Sequence, residues 1–326
     1  MKKKICLIGG CGFIGHNLAL ELKSAGHSVT VIDSLSINNI LSFTGNDIKN
    51  KNLYNSILNS RIDLLKKANV ELLIQDAREY HAMSRLIEKI QPDIIVHLAA
   101  VSHANKSNKD PHTTFDHSLR TLENTLDFAK NKKTHVIYMS SSMVYGDFAT
   151  PEVDEESKCS PIGIYGTLKY AGELIIKSYN QVFGVPYTII RPSAVYGPKD
   201  MNQRVSQIFI NKAIAGTNIN IHGKDEKLDF TYIEDLVRGV ILASTKKNGI
   251  NNTFNITNGR GRSLLEFVTI LKKHFPNLKY KLKSRDKFRP KRGTLSIQKA
   301  KKLIGYKPMI SLEEGISKYL KFLKKI

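Results

Sequence analysis

The sequence predicts an α/β fold, a doubly wound parallel sheet followed by a smaller C-terminal α/β domain, and three observations predict it. Short β-branched apolar runs alternate with helical patterns through the first half of the 326 residues, and such alternation builds strand–helix–strand units around a parallel sheet. A glycine-rich turn follows the first run directly. After residue 192 the alternation lapses and a basic segment closes the chain.

"KICLIG" (4–9), "SVTVID" (28–33), "VELLIQ" (70–75), "DIIVHL" (93–98), "THVIYMS" (134–140) and "VPYTIIR" (185–191) read as strands. Their apolar residues run on rather than alternate, as in strands covered on both faces. Residues 13–25, 78–90, 112–131 and 165–183 read as helices. An insert over 36–69 is Asn- and Lys-rich at first and then helix-like, with Leu53, Ile57, Leu58, Ile62 and Leu65 on one stripe. Beyond 192 come helices over 202–215, 233–245 and 263–274, a strand "NTFNIT" (252–257) and the basic tail. The expected division is a cofactor domain over 1–192, with parts of 228–260 returning to it, and a substrate domain over 193–326. "VYG" recurs at 144–146 and 195–197 because both copies follow strands, where a glycine can turn the chain.

Hydrophobic content of 41% and charged content of 24% are ordinary for a soluble globular protein. No apolar run approaches a membrane span, and glycines, Cys11, His16 and Asn17 break the start "MKKKICLIGGCGFIGHNLAL", so a cytoplasmic protein is expected. Cys6, Cys11 and Cys159 are too few and too irregularly spaced for a disulfide framework or a zinc site, and the ten histidines show no metal-ligand spacing. No metal is expected. The net charge of +21 is concentrated in residues 271–326, which hold 18 Lys and Arg against 3 acidic residues. Those lysines fall at helix-surface spacing in "SIQKAKKLIGYKP" and "KYLKFLKKI" with little aromatic interleaving, so the expectation is a solvated basic face and no nucleic-acid partner. A pocket for an anionic substrate could draw on the same charge.

In "GGCGFIG", Gly9, Gly12 and Gly15 flank Phe13 and Ile14 between a strand and a helix. Glycines there permit a tight turn, close approach of a pyrophosphate to the backbone, and close helix–strand packing, while the helix N-terminus favours negative charge. The second strand ends at Asp33, 18 residues after Gly15. A carboxylate at that point bonds both ribose hydroxyls of an adenosine and repels a 2′-phosphate, which favours NAD over NADP. The fifth strand ends in "SSSMVYG", which puts hydroxyls at the carboxyl edge of the sheet, where ligands of open α/β folds bind. "YGTLK" follows, with Tyr165 and Lys169 four apart on one helical face. A lysine there favours the phenolate form of the tyrosine. "AVSHANKS" (100–107), after the fourth strand, offers Ser102, His103 and Asn105 to a ligand.

Together these features resemble the extended short-chain dehydrogenase/reductase family, a Rossmann-type fold, in its nucleotide-sugar epimerase and dehydratase branch. "DAREY", "HLAA", "SSSMVYG", "YGTLK", "IIRPSAVYGP", "LDFTYIEDLVRGV" and "RPKRGTLSIQKAKKLIGYKP" arrive in the family's order nearly end to end. The resemblance implies that Tyr165 is the catalytic base, that Lys169 binds the nicotinamide ribose, and that Ser141 bonds the reacting sugar hydroxyl. It also implies that Asp33 holds the adenosine ribose, that Asp76 and Ala77 meet the adenine edge, and that Leu98, Ala99 and Ala100 line the path of NAD. Ser118, where the family commonly has an asparagine, and Arg191 complete the implied cofactor set. Ser102, His103, Ser141, Ser142, Tyr165 and Ser193 form the implied sugar side.

Two departures bear on the diphosphate. Ala194 stands where epimerases carry an asparagine, and Leu228 replaces an arginine often found before "DF", so the contacts are expected from Arg292, Arg289 or Lys227. Related 4,6-dehydratases carry Asp-Glu after the catalytic hydroxyl residue; Ser142 and Met143 occupy those places here, so that reaction is not expected. The implied function is NAD-dependent oxidation at C4 of a nucleotide-diphosphate sugar, with 4-epimerisation as the leading reading. One alternative is a net C4-dehydrogenase of a hexose or heptose, releasing a ketone to later enzymes of a polysaccharide pathway. A remoter one is a non-catalytic NAD-binding protein. By analogy with the family, helices 112–131 and 165–183 would join two copies into a homodimer.

Overall fold

The computed structural model describes residues 2–37, 39–43, 51–102, 104–285 and 289–325. The first half runs β1 (Lys4–Ile8), α1 (Phe13–Ser24), β2 (Ser28–Asp33), α2 (Lys51–Lys67), β3 (Glu71–Ile74), α3 (Tyr80–Ile90), β4 (Ile94–His97), α4 (Ala104–Lys109), α5 (Pro111–Phe115), α6 (Thr121–Lys132) and β5 (His135–Met139). Then come β6 (Glu152–Val153), α7 (Gly163–Phe183), β7 (Tyr187–Arg191), α8 (Val205–Ile214), β8 (Ile219–His222), β9 (Lys227–Asp229), α9 (Ile233–Thr245) and β10 (Asn252–Asn255). The chain closes with β11 (Gly261–Ser263), α10 (Leu264–His274), β12 (Tyr280–Lys283), β13 (Thr294–Leu295), α11 (Gln298–Ile304) and α12 (Leu312–Leu323).

Seven of these strands form one parallel sheet in the order β10-β7-β5-β4-β1-β2-β3. Every residue of β4 and β5 is buried, which accounts for their unbroken apolar runs. The strand order reverses direction between β1 and β4, and this is where a doubly wound sheet opens a crevice at its carboxyl edge. β10, from the second half of the chain, adds itself beside β7 with Phe254 opposite Ile190, and α9 packs on α1. The remaining ladders pair β8 with β12, β9 with β11 and β6 with β13.

Two elements differ from the sequence reading, and a third adds to it. The helix expected over 112–131 is split into α5, a π-helical turn over Asp116–Arg120, and α6. The wider turn carries His117 and Ser118 inward, and the Thr121 hydroxyl donates to the His117 carbonyl at 2.8 Å. The buried stripe of α2 is Tyr54, Ile57, Leu58, Arg61 and Leu65, so Tyr54 and Arg61 take the places expected of Leu53 and Ile62. That stripe packs on Met201, with Arg61 donating to the Lys199 carbonyl, so the helix of the insert supports the segment before α8. The basic tail contains α11 and α12, whose Ala300, Ile304, Ile316, Tyr319 and Leu320 join the core.

Candidate active site

The residues just past β1, β2, β4, β5 and β7 line a cleft with a volume of about 710 Å³. Its floor is the glycine turn. Gly9 takes φ 82°, and a Cβ there would lie 2.7 Å from the Ala99 nitrogen; at Gly15 it would lie 2.6 Å from the Gly10 Cα. At Gly12 its nearest neighbour would be the Gly9 carbonyl at 3.4 Å, so the room that glycine leaves belongs to the cleft. α1 begins at Gly12 with no side-chain cap, which leaves its first-turn amides for an anion. These are the features a dinucleotide diphosphate requires, and the residues present fit NAD.

Asp33 ties β2 to this turn, accepting the N–H groups of Cys11 and Leu35 at 2.8 Å each. Burial raises its pKa, and the two N–H donors oppose that shift. The Asp76 carboxylate receives the Arg78 guanidinium at 2.7 Å. Burial pushes that carboxyl up, but the Arg78 hydrogen bonds outweigh it and hold the group below its ordinary value. Ala77, Leu98, Ala99 and Ala100 also line the cleft.

At the centre, Ser141 is extended (φ −162°, ψ 152°) and caps a 3₁₀ turn over Ser142–Tyr145, its hydroxyl oxygen accepting the Met143 N–H at 3.2 Å. The backbone here is fixed from β7, because Ser140 N–H donates to the Ile190 carbonyl at 2.8 Å and Ser142 N–H to Pro192 at 2.9 Å. Gly166 lets α7 approach this turn, since a Cβ there would lie 2.8 Å from the Met143 carbonyl oxygen. Tyr165 and Lys169 flank that contact and both line the cleft. Lys169 is 5% exposed; its Nζ donates to the Met139 carbonyl at 2.7 Å and lies 5.0 Å from the centre of the Tyr138 ring. Burial pulls its pKa down to about 7, with Glu173 opposing the shift and Arg204 reinforcing it.

The second half of the chain gives the cleft a cationic lining, with Arg204, Lys212, Arg285, Arg289 and Arg292. Its one carboxylate among the described lining residues, Glu226, pairs with Arg285 at 2.5 Å. Arg292 Nε is buried and has no hydrogen-bond partner among the described residues. Burial pulls that guanidinium down to about 10; the Arg289 charge adds to the shift, Glu226 opposes it, and Arg204 adds further. Arg204 Nη2 donates to the Ser102 carbonyl at 3.2 Å. Leu228 and Ala194 line the cleft as well, Ala194 at φ 37°.

The cleft thus gathers Gly9, Gly12, Phe13, Ile14, Gly15, Asp33, Asp76, Ala77, Leu98, Ala99, Ala100, Ser102, Ser141, Ser142, Tyr165, Lys169, Arg289 and Arg292. Four expected contacts are not placed on it. Ser118 is 3% exposed inside the π-helical turn, and its neighbours His117 and Thr121 reach the cleft instead. Arg191 points away from it, held by the Glu173 carboxylate at 2.6 Å. Ser193 is 2% exposed, its hydroxyl buried with no partner among the described residues. Lys227 also stands outside the lining, and His103 lies outside the described residues. Arg204 and Arg285 were missed by the sequence reading. Their only signal is charge, Arg204 just before a helix that follows the sheet's carboxyl edge and Arg285 within the basic tail.

Comparison with known proteins agrees with this geometry. A family model described as the NAD dependent epimerase/dehydratase family matches residues 5–257. A Bacillus subtilis protein described as an uncharacterized UDP-glucose epimerase, YtcB, is 30% identical over 99% of this chain and 98% of its own length. The crystal structure of UDP-glucuronic acid 4-epimerase from Bacillus cereus, in complex with UDP-glucuronic acid and NAD, superposes with a TM-score of 0.88 at 26% identity, covering 100% of this chain and 99% of that one. UDP-glucose 4-epimerase from Thermotoga maritima, solved with UDP-glucose, gives a TM-score of 0.84 at 27% identity over 98% of both chains. A glycine turn and a strand-terminal carboxylate at one end of a single cleft, with Ser141, Tyr165 and Lys169 at its middle, are therefore what a shared ancestry would leave: the chain belongs to the NAD dependent epimerase/dehydratase family, in the nucleotide-sugar branch of the extended short-chain dehydrogenases/reductases.

Proposed function

We propose that the protein is an NAD-dependent UDP-sugar 4-epimerase whose catalytic residues are Ser141, Tyr165 and Lys169. The observation that carries this reading is that these three side chains share one cleft with the glycine turn and the cationic lining. The UDP portion rests on the solved relatives that hold UDP-sugars. Bound NAD supplies the acceptor, and then the donor, of the C4 hydride. Tyr165 removes the proton of the C4 hydroxyl while Ser141 holds the same oxygen, and the buried Lys169 cation favours the phenolate that does this work. Tyr165 returns the proton after the ketone has presented its other face. Gly12 and the amides opening α1 receive the cofactor diphosphate, Asp33 its adenosine ribose, and Ala77, Leu98, Ala99 and Ala100 its flank. Arg292 and Arg289 receive the substrate diphosphate, which would give the unpartnered Arg292 Nε an acceptor.

The described cleft carboxylates are Asp33, Asp76 and Glu226. The first two lie at the adenosine end and Glu226 is tied to Arg285. None stands beside Ser141, where Ser142 and Met143 line the cleft, so an elimination needing a carboxyl acid or base has no group to perform it there. The test is incubation with UDP-hexoses and UDP-hexuronates without added oxidant. Interconversion of a C4-epimeric pair supports the reading. Stoichiometric ketone with accumulated reduced cofactor would replace it with the net dehydrogenase.

The homodimer belongs to the same reading. Val182 and Phe183 of α7 and Phe115 of α5 are 71%, 46% and 51% exposed, apolar surface that a second copy would cover. Light scattering that returns a monomer would remove the dimer without touching the chemistry. Among the described residues no helix is long and apolar enough to cross a membrane, and Cys6, Cys11 and Cys159 are free thiols; both fit the reducing cytoplasm.

A further inference from the structure

We propose that Glu173 is a positioning residue for this reaction: it holds the Ser140–Ser141 turn through the Ser140 hydroxyl, and it supplies the buried negative charge that keeps Lys169 cationic, with Arg191 clamping its carboxylate from behind. The proposal rests on the roles given above to Ser141 and Lys169.

Glu173 follows Lys169 by four residues on α7, so the two side chains lie on one face of the helix. It is completely buried. Its Oε1 accepts the Ser140 hydroxyl at 2.5 Å and Arg191 Nε at 2.9 Å, and its Oε2 accepts Arg191 Nη2 at 2.6 Å. Arg191 is anchored in turn, because Nη1 donates to the Tyr145 hydroxyl at 3.0 Å and to the Glu155 carbonyl at 3.2 Å, and the guanidinium lies 4.8 Å from the Tyr145 ring centre. The Tyr145 hydroxyl donates onward to Asn255 Oδ1 at 2.8 Å. One carboxylate on α7 thereby connects the end of β5, the 3₁₀ turn that Ser141 caps, the end of β7 and β10. A buried ion pair is weak evidence for stability, since desolvating two charges offsets most of their attraction. Its placement between the two catalytic segments gives it a chemical use.

Groups from every side act on Lys169. α7 contributes Glu173; β5 contributes the Met139 carbonyl and the Tyr138 ring; the segment before α8 contributes Arg204. His97 of β4 is held neutral, its pKa pulled down to about 3 by burial and by the Lys169 charge. Burial and Arg204 both discharge Lys169, and Glu173 is the group that opposes them. Without it, the amine would lose its proton at a lower pH still.

Glu173→Gln alone would strand the Arg191 charge, so the informative protein is the Glu173→Gln/Arg191→Met double variant, studied beside Ser140→Ala and Lys169→Met. With lysine ¹³C-labelled in the Cε position, the Lys169 resonance is followed by NMR across pH with no substrate, Lys169→Met assigning the signal. The expected midpoint in the double variant is lower than wild type by about 1 pH unit, and the high-pH limb of kcat/KM moves down with it. Ser140→Ala keeps the ion pair, so its Lys169 midpoint stays put while kcat falls roughly tenfold at unchanged KM, the lower end of what a positioned acid/base group is worth. An unmoved midpoint in the double variant overturns the electrostatic role, and an unchanged kcat in Ser140→Ala overturns the positional one. Wild-type turnover in Lys169→Met would instead overturn the functional reading beneath both.

Discussion

Tyr165 is four residues from Lys169 on a helix whose first turns border the cleft, and the chemistry assigned to it depends on one hydroxyl. Tyr165→Phe is expected to fold and to bind NAD as the wild type does, and to lose roughly 10²–10⁴-fold in turnover; steady-state rates beside a cofactor titration check it, and near-normal turnover would contradict it. Asp33 has two tasks, because its carboxylate accepts the Cys11 and Leu35 N–H groups as well as facing the cleft. Asp33→Ala should relax the preference for NAD over NADP and, by leaving two amides without an acceptor, cost about 1–3 kcal/mol of stability. Ratios of the two dissociation constants and a denaturant midpoint measure both effects; a wild type that prefers NADP would refute the role. These residues were legible because their chemistry is encoded in local spacing, four along a helix or at a strand's last position. Arg191 and Ser118 were not. For Arg191, whether the side chain meets the ligand or packs behind it is decided by a partner distant in sequence, Glu173 across the α7–β7 contact. For Ser118 the cause is local, since it lies buried within a π-helical turn and off the cleft lining.

Among elements, α7 has the most exacting fit. Gly166 allows it to pass over the Ser141 turn, and Tyr165 and Lys169, proposed as catalytic, stand on the same helix. Gly166→Ala would place a Cβ 2.8 Å from the backbone oxygen of Met143, which cannot rotate away. The expected outcome is about 1–3 kcal/mol of destabilisation together with a fall in kcat larger than the change in KM; a variant matching wild type in both melting temperature and kcat would show that the approach is not tight. The central strands were readable because burial on both faces leaves an apolar run that nothing interrupts. The split of 112–131 was not, since a π-helical turn keeps the amphipathic pattern of a helix and is imposed by burying His117 and Ser118. α2 shows the same limit. Its stripe was recognisable, but only the packed molecule reveals that Arg61 replaces an apolar residue in order to reach the Lys199 carbonyl.

Across the whole molecule, the second half of the chain is built into the first rather than appended to it, through β10 in the sheet and α9 on α1. Asp229 at the end of β9 gathers the loops of that half, accepting the Thr257 hydroxyl at 3.0 Å and the N–H groups of Asn258, Gly259 and Leu295 at 3.0, 3.1 and 3.2 Å. Burial pushes its carboxyl up to about 6 from an ordinary 3.8, against the pull of those donors. The folded protein therefore binds this proton more tightly than the unfolded chain, so the group's contribution is fully present below the unfolded value and is lost as pH rises through the folded one. Relative to Asp229→Asn, the wild type should gain stability as pH falls from about 6 to about 3.8, read by urea midpoints at each pH; a difference independent of pH would rule this out. Both halves line one cleft, the first with the glycine turn and the second with Arg204, Lys212, Arg285, Arg289 and Arg292. The central claim is that a hydride leaves C4 and returns to the same carbon before anything is released. The direct measurement uses a UDP-sugar deuterated at C4, turned over by the wild-type enzyme in the presence of excess unlabelled NADH, with the isotope at C4 of the epimer read by NMR. Full retention of deuterium at C4 of the epimer is the predicted result; loss of the label to the bulk cofactor, or a free 4-keto sugar in place of the epimer, would contradict it.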